Sequence, residues 1–216
     1  MLFSATYPES AQEAINQIVT EAQQIQMKKE LLQLNHISQY ELRCQPKKKP
    51  DFIMDVFSTC SMTQTVIFVN TKKFAEVLHR LMHNNGYKAT IIFGDMSSEE
   101  RDEMIAKFRS GEVHVIITTN MLARGIDVPE VEIVINFDVP TMTIAGKRQG
   151  DPENYLHRIG RTGRFGTQGI AVSIYDRDED KEYLDQIMDH YKMADKLKPL
   201  EGAEHLKTLL EEINKF

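Results

Sequence analysis

The sequence predicts an α/β fold, a parallel sheet with helices on both faces. Three observations carry that expectation. Short runs of β-branched and apolar residues recur along the chain without interruption by polar residues, as expected of strands covered on both sides. Amphipathic stretches with helical spacing separate them, the alternation that builds parallel sheets. Polar turn and cap residues sit between the two kinds of segment.

The elements follow in order. A short strand "LFSAT" opens the chain, and a helix is expected from Pro8 to about Ala22. These first thirty residues read as an appendage of some other sheet, so the expected division is 1–30 and 31–216. "TVIFV" (65–69) is a strand, and Phe74, Val77, Leu78, Leu81 and Met82 form the apolar face of the helix after it. "ATIIF" (89–93) is a second strand. Ser97 and Glu100 then stand in capping-box spacing before "SSEERDEMIAKFRS". "VHVIITT" (113–119), "VEIVINF" (131–137) and "IAVSIY" (170–175) are further strands. Residues 141–153, "TMTIAGKRQGDPE", read as a polar loop, long for a strand-to-helix connection. Leu184, Ile187, Met188 and Tyr191 mark one late helix, and Leu206, Leu209, Leu210 and Ile213 another.

Composition narrows the function classes. The 216 residues are 41% hydrophobic and 27% charged, ordinary for a globular protein. Cys44 and Cys60 form no CxxC pair, so neither a disulfide framework nor a cysteine zinc site is expected. The first residues lack a basic start and an apolar run, so no signal peptide is expected, and no apolar run approaches a membrane span. A soluble protein in a reducing compartment, with no membrane association, is the expectation.

Charge is unevenly spread. Lys and Arg total 26 against 32 Asp and Glu, a formal net charge of -6. From Asp176 to the end there are 12 acids and 7 bases, whereas Lys147–Arg164 holds 5 bases and 2 acids. That basic stripe contains "HRIGRTGR" (157–164), with Arg158, Arg161 and Arg164 at a spacing of three. Guanidinium forks suit phosphate oxygens. On a helix the three would share roughly one face, with Gly160 and Gly163 leaving room for close approach. A solvated surface stripe is the alternative.

In an open parallel sheet, ligands collect at the carboxyl ends of the strands. Three turns there are polar: Asn70-Thr71, Gly94-Asp95-Met96-Ser97 and Thr118-Thr119-Asn120. Each offers helix N-terminal amides, which bind anions, and three phosphate-sized sites in a row describe a nucleic-acid backbone. Simple helix capping is the alternative at each. In "ARGIDVPEV" (123–131), Gly125 permits close backbone approach and Asp127 offers a carboxylate to sugar hydroxyls, or else merely forms a turn.

Some chemistry is not encoded. The only Gly-Lys pair, Gly146-Lys147, has Thr141 where a phosphate loop needs its first glycine. The acidic run "DRDED" (176–180) leads into a helix and is expected to charge its N-terminus. His79 and His83 have helical metal-pair spacing but no third ligand, so no metal site is expected.

Together, "SAT" (4–6), "VIFVNT" (66–71), "TTNMLARGIDVPEV" (118–131), "VINFDVP" (134–140) and "HRIGRTGRFG" (157–166) resemble the ordered motifs of DEAD-box RNA helicases, with family spacing. The resemblance covers the second RecA-like domain, of P-loop-NTPase-like fold, and the tail of the first. It implies that the phosphate loop, acidic box and adenine-reading glutamine belong to a first domain upstream of Met1. ATP and Mg2+ would be held mainly there, and this chain alone would be inactive. Arg161 and Arg164 would be arginine fingers on the γ-phosphate, and Asp127, beside Gly125, would contact the ribose. Ser4, Thr6 and His157 would couple the domains. Asn70, Gly94, Arg101, Thr118 and Thr119 would line the RNA, although Ser98 replaces the glutamine of the family's Gln-x-x-Arg motif.

The longer 141–153 loop is similar to that of the nuclear-pore mRNA-export subgroup. This implies RNA, the first RecA-like domain and an activating nucleoporin or export factor as partners. It also implies a monomer in the cytoplasm, at the nuclear rim or in the nucleus. An initiation-factor-like helicase and a non-catalytic RNA-clamping or partner-docking module are the alternatives.

Overall fold

The computed structural model describes Leu34, residues 36–60, 64–119, 131–163 and 167–213. The chain divides into two compact units, Met1–Gln33 and Leu34–Phe216, and every described element lies in the second. The expected strand and helix of the first thirty residues fall outside the described residues.

In chain order the elements are β1 (Ile37–Arg43), α1 (Lys49–Thr59), β2 (Thr65–Phe68), α2 (Lys72–Asn84), β3 (Ala89–Ile92), α3 (Ser98–Arg109), β4 (Val115–Thr118) and β5 (Ile133–Asn136). There follow β6 (Thr141–Ile144), β7 (Lys147–Gly150), α4 (Pro152–Ile159), β8 (Gly169–Tyr175), α5 (Asp178–His190), β9 (Leu197–Pro199) and α6 (Ala203–Ile213). Seven strands form one sheet in the order β3-β4-β2-β5-β8-β1-β9, and every neighbouring pair is parallel.

Strands β2, β4 and β5 are buried along their whole length, which is why each carries three consecutive apolar residues with one polar residue, Thr65, Thr118 or Asn136, at an end. Alternate residues feed opposite faces. Ile67, Ile117, Ile135 and Val172 pack with Phe52, Ile53 and Val56 of α1, Ala75, Leu78 and Met82 of α2, and Leu206 and Leu210 of α6. On the other face Val66, Phe68, Ile116 and Val134 meet Ile105 and Phe108 of α3. Further along it Ala171 meets Tyr155 and Ile159 of α4 and Leu184, Ile187 and Met188 of α5. Each such side chain fully buried contributes roughly 1.5–3 kcal/mol, so the sheet is held from both sides.

Helix starts follow the local chemistry. Thr71 accepts the Phe74 N–H at 3.2 Å and begins α2. The expected capping box starts α3: Glu100 N–H donates to Ser97 Oγ at 3.2 Å and Ser97 N–H to Glu100 Oε2 at 2.9 Å. Asp151 accepts the Asn154 N–H at 3.0 Å, and Pro152 supplies the first residue of α4.

Segment 141–153 is not a loop. Residues 141–150 form an antiparallel hairpin turning at Ala145 and Gly146, both at positive φ. Its inner end is fastened to α5, where Gly150 N–H donates to Gln186 Oε1 at 3.0 Å. Positive φ at an alanine is unfavourable for an L-residue, so the turn carries none of the usual Asn-Gly or Asp-Gly signature. Among the described residues no helix is long and apolar enough to cross a membrane.

Candidate nucleic-acid and nucleotide interface

Parallel pairing puts the carboxyl ends of all seven strands on one edge. Asn70 and Gly94 lie two residues beyond β2 and β3, while Thr118 ends β4 and Thr119 follows it. Because β3, β4 and β2 are neighbours, Gly94, Thr119 and Asn70 stand at the ends of three adjacent strands. Neighbouring strands are about 4.8 Å apart, so these polar turns form a short row along the sheet edge.

The row is uneven in what it offers. Asn70 is exposed; its N–H donates to Asp138 Oδ2 at 2.8 Å and its Nδ2 to Val139 O at 3.5 Å. Gly94 and Thr119 are half-buried. Thr118 is fully buried and its hydroxyl donates to Ile92 O at 2.8 Å, so its side chain supports the row from beneath instead of facing a ligand. Arg101 donates from Nη2 to Ser98 Oγ at 3.2 Å, so the serine in the glutamine position holds the arginine of its own helix. Asp95 pairs with Lys72, and that hydrogen bond holds the Asp95 carboxyl below its ordinary range. The Lys72 ammonium also lies 5.3 Å from the Phe93 ring centre.

The arginine segment differs from the expected single-faced helix. Helix α4 ends at Ile159 and Arg161 lies in the turn beyond it. Arg158 points into the protein and is fully buried. Its Nη1 donates to Asp138 O at 2.8 Å and to Asn136 Oδ1 at 3.2 Å, and its guanidinium lies 5.1 Å from the Phe68 ring centre. Burial lowers its pKa to about 9, against the opposing pull of Asp138 and Asp151, so it remains a cation at neutral pH. Arg158 is therefore neither a surface charge nor a ligand group; it clamps α4 to the end of β5.

Arg161 is half-buried, and its Nε donates to the His157 carbonyl at 3.1 Å, which ties the guanidinium to the helix end. The turn is fixed from below: Thr162 is buried, bonds Val131 O and donates to Glu132 O at 3.1 Å. Gly163 has φ +68°, and a Cβ there would lie 2.7 Å from Ile37 Cγ1. This glycine thus answers to chain reversal and to packing against β1. His157 lies 3.7 Å from Glu153 Oε1 one turn earlier. Ser4, Thr6, Gly125, Asp127 and Arg164 lie outside the described residues.

Asp138 joins the two halves of this edge and went unread in the sequence. Its carboxylate receives Asn70, its carbonyl receives Arg158, and Lys49 Nζ stands 3.8 Å from its Oδ1. Lys49 is itself buried, donates to Phe137 O at 3.1 Å and pairs with Asp176 at 3.2 Å. Burial acts to raise the Asp176 carboxyl, but the Lys49 charge and hydrogen bonds from its neighbours outweigh it and hold it below the ordinary range. The readable signal was Asn136, a polar residue closing an otherwise apolar strand. The expected acidic run does charge a helix start, since α5 begins at Asp178 and Asp180 pairs with Arg177 at 3.0 Å. His79 Nε2 lies 3.0 Å from Ala89 O, and among the described residues no three His, Cys, Asp or Glu converge as a metal site.

A family model for the helicase conserved C-terminal domain matches residues 48–166, more than half of the chain. The ATP-dependent RNA helicase DBP5 of Saccharomyces cerevisiae is 39% identical over 174 residues, covering 80% of this chain and 36% of that protein. The probable eukaryotic initiation factor 4A of Trypanosoma brucei brucei is 37% identical over 205 residues, covering 95% of this chain and 48% of its own length. The chain thus spans less than half the length of these relatives. The structure of S. cerevisiae Dbp5 bound to RNA and ADP-BeF3 superimposes with a TM-score of 0.84 at 33% identity, covering 99% of this chain and 54% of that one. A Dbp5 variant bound to Nup159, Gle1, IP6 and ADP superimposes at 0.74 with 31% identity, over 99% of this chain and 54% of that one. The parallel sheet, the motif order and these matches agree: the chain belongs to the helicase C-terminal family, as the second RecA-like domain of the DEAD-box type.

Proposed function

We propose that this chain is the RNA-gripping and nucleotide-closing half of an ATP-dependent RNA helicase that remodels RNA or RNA–protein complexes in mRNA export. The observation that carries the reading is the row of Asn70, Gly94 and Thr119 at the ends of three adjacent strands, on the same sheet edge to which Arg158 clamps the arginine segment. Such a row suits a sequence-independent grip on phosphates, with affinity carried by backbone contacts. In this reading residues 1–30 are the end of a first RecA-like domain, and Ser4, Thr6 and His157 couple the two domains.

ATP supplies the transferable γ-phosphate when bound by that first domain, together with Mg2+. The basic segment around Arg161 fits that anion in charge, and the Arg161 Nε bond to His157 O fixes the side chain's root. Arg161 and Arg164 stabilise charge at the phosphate, while Gly125 and Asp127 receive the ribose. RNA, the first domain and a nucleoporin or export factor are the partners, in the cytoplasm, at the nuclear rim or in the nucleus. The Nup159 and Gle1 complex of the similar Dbp5 supports this choice. An initiation-factor-like role is the second reading, favoured by the trypanosome relative that matches nearly the whole chain.

The test is Thr119→Glu, which sets a carboxylate in the row. All single strands should lose affinity alike, whatever their sequence, with a weakened dependence on salt. A loss confined to one base sequence would show a base-reading site and sink the proposal.

A further inference from the structure

Beyond Asn70 the sheet edge continues to the ends of β5 and β8, and there it opens into a cavity of about 350 Å³. Asn70, Phe74, Asp138, Asp176, Arg177 and Arg148 are among the residues that line it. The size lies at the small end of ligand cavities. Strand order makes the position specific: the ends of β3, β4 and β2 form the proposed phosphate row, and β5 and β8 are the next two strands in the same direction.

The charges in the cavity are sorted. Lys49 is taken by Asp138 and Asp176, and Arg177 by Asp180 at 3.0 Å with Glu179 at 3.8 Å. Arg148 pairs with no carboxylate among the described residues. Its Nε donates to Thr141 Oγ1 at 2.9 Å and its guanidinium carbon lies 5.8 Å from the Tyr183 ring centre. One edge and one face of the fork are thus fixed, while both terminal nitrogens remain for an anion. The carboxylates are the reverse: Asp138 and Asp176 share one ammonium, Lys49, and their spare lone pairs accept hydrogen bonds from donors such as hydroxyls.

We infer that this cavity holds one ribonucleotide of the bound strand, next in line after the phosphate row, with Arg148 on its phosphate and Asp138 and Asp176 accepting from its ribose hydroxyls. A bare phosphate would meet the carboxylates of Asp138, Asp176 and Asp180, which all line the cavity, and a cationic side chain would meet Arg148. A ribonucleotide carries an anion and hydroxyl donors at opposite ends, together with a flat base that can lie against Phe74. The 2′-hydroxyl then distinguishes RNA from DNA here. The hairpin β6–β7 acquires a purpose: it delivers Arg148 to the sheet edge. This inference rests on the proposed RNA function.

The test titrates this chain, at low salt, with labelled oligouridylates lengthened one residue at a time and with matching oligodeoxyuridylates. Affinity should step up at the length that reaches the cavity, and the step should be larger for the ribo form. Arg148→Ala should abolish that step, about a three- to tenfold loss on long oligomers, with a salt slope smaller by about 0.7, the share of one phosphate on a single strand. Short oligomers should be unaffected. Thr119→Glu should weaken short and long alike, which separates the row from the cavity. Arg148 is exposed, so a thermal melt should confirm an unchanged fold. Equal affinity of wild type and Arg148→Ala for long RNA, or an identical step for DNA, would overturn the inference while leaving the row intact. If wild type binds no oligomer and Thr119→Glu changes nothing, the RNA reading fails and the cavity assignment fails with it.

Discussion

Replacing Arg158 with alanine should unfold this domain more readily than any change at its exposed arginines. The side chain is fully buried and donates to Asn136 Oδ1 and Asp138 O while lying against Phe68. Hydrogen bonds from a charged group contribute about 1.5–3 kcal/mol each. Truncation also leaves a void and takes the donor from a buried oxygen, Asn136 Oδ1, and a partly buried one, Asp138 O. Against this, removing a buried cation recovers several kcal/mol of desolvation. The partner-loss terms win, because two charge-assisted hydrogen bonds and the packing around the side chain are lost together, and the net loss should be about 3–5 kcal/mol. Domains carry about 5–15 kcal/mol in total, so about a fifth or more of the stability is at stake. With a urea dependence of about 2 kcal/mol per molar, the midpoint should fall by about 1.5–2.5 M. The assay is urea denaturation of this chain followed by circular dichroism, with Arg161→Ala as comparator, expected to shift the midpoint by less than about 0.5 M. A loss below about 1 kcal/mol for Arg158→Ala would refute the clamp, because neither the bonds nor the void would then matter.

Two further outcomes follow from the same edge. The folded-state pKa of Asp176 is depressed, so its ion pair with Lys49 stabilises the fold above about pH 4, the unfolded value, and is lost as pH falls through the lower folded value. Asp176→Asn should therefore cost about 1–2 kcal/mol at neutral pH and progressively less in acid; a difference independent of pH would show that the carboxylate charge is immaterial. Gly163→Ala forces a side chain into positive φ and against Ile37 Cγ1, and should cost about 1–3 kcal/mol. Gly146→Ala, also at positive φ but with open space around it, should cost about 1 kcal/mol; equal melting temperatures for the two variants would remove the packing contribution.

Much of the architecture was legible because burial on both faces leaves an unambiguous trace. Runs such as 66–69 and 115–117 are apolar throughout since helices cover both sides, and the Ser97–Glu100 box is a purely local signal. Strand β1 is different. Its Gln39 is buried among partners distant in sequence, accepting from Tyr155 Oη at 2.9 Å and donating to Met193 Sδ at 3.8 Å. Long-range satisfaction of that kind leaves no periodicity to read. The hairpin was hidden by polar strands and by an alanine in a turn position that normally announces itself with Asn or Asp.

The candidate site divides the same way. Asn70, Gly94 and Thr119 were findable from turn chemistry at strand ends. Arg158 was misassigned to a shared surface because a spacing of three implied one helix face, whereas the helix ends at Ile159 and the residue turns inward. Lys49, Asp138 and Asp176 are separated by scores of residues in the chain, and only the sheet brings them together.

The central claim is that the arginine segment serves a nucleotide held by another domain, and one measurement addresses it directly. In the chain joined to its first domain, steady-state ATPase with saturating RNA should fall by roughly three to five orders of magnitude in Arg161→Ala or Arg164→Ala, with little change in nucleotide affinity. Arg161→Lys should recover little, since a point charge lacks the planar fork, and this chain alone should show no turnover. ATP hydrolysis near the wild-type rate in both alanine variants would contradict the account.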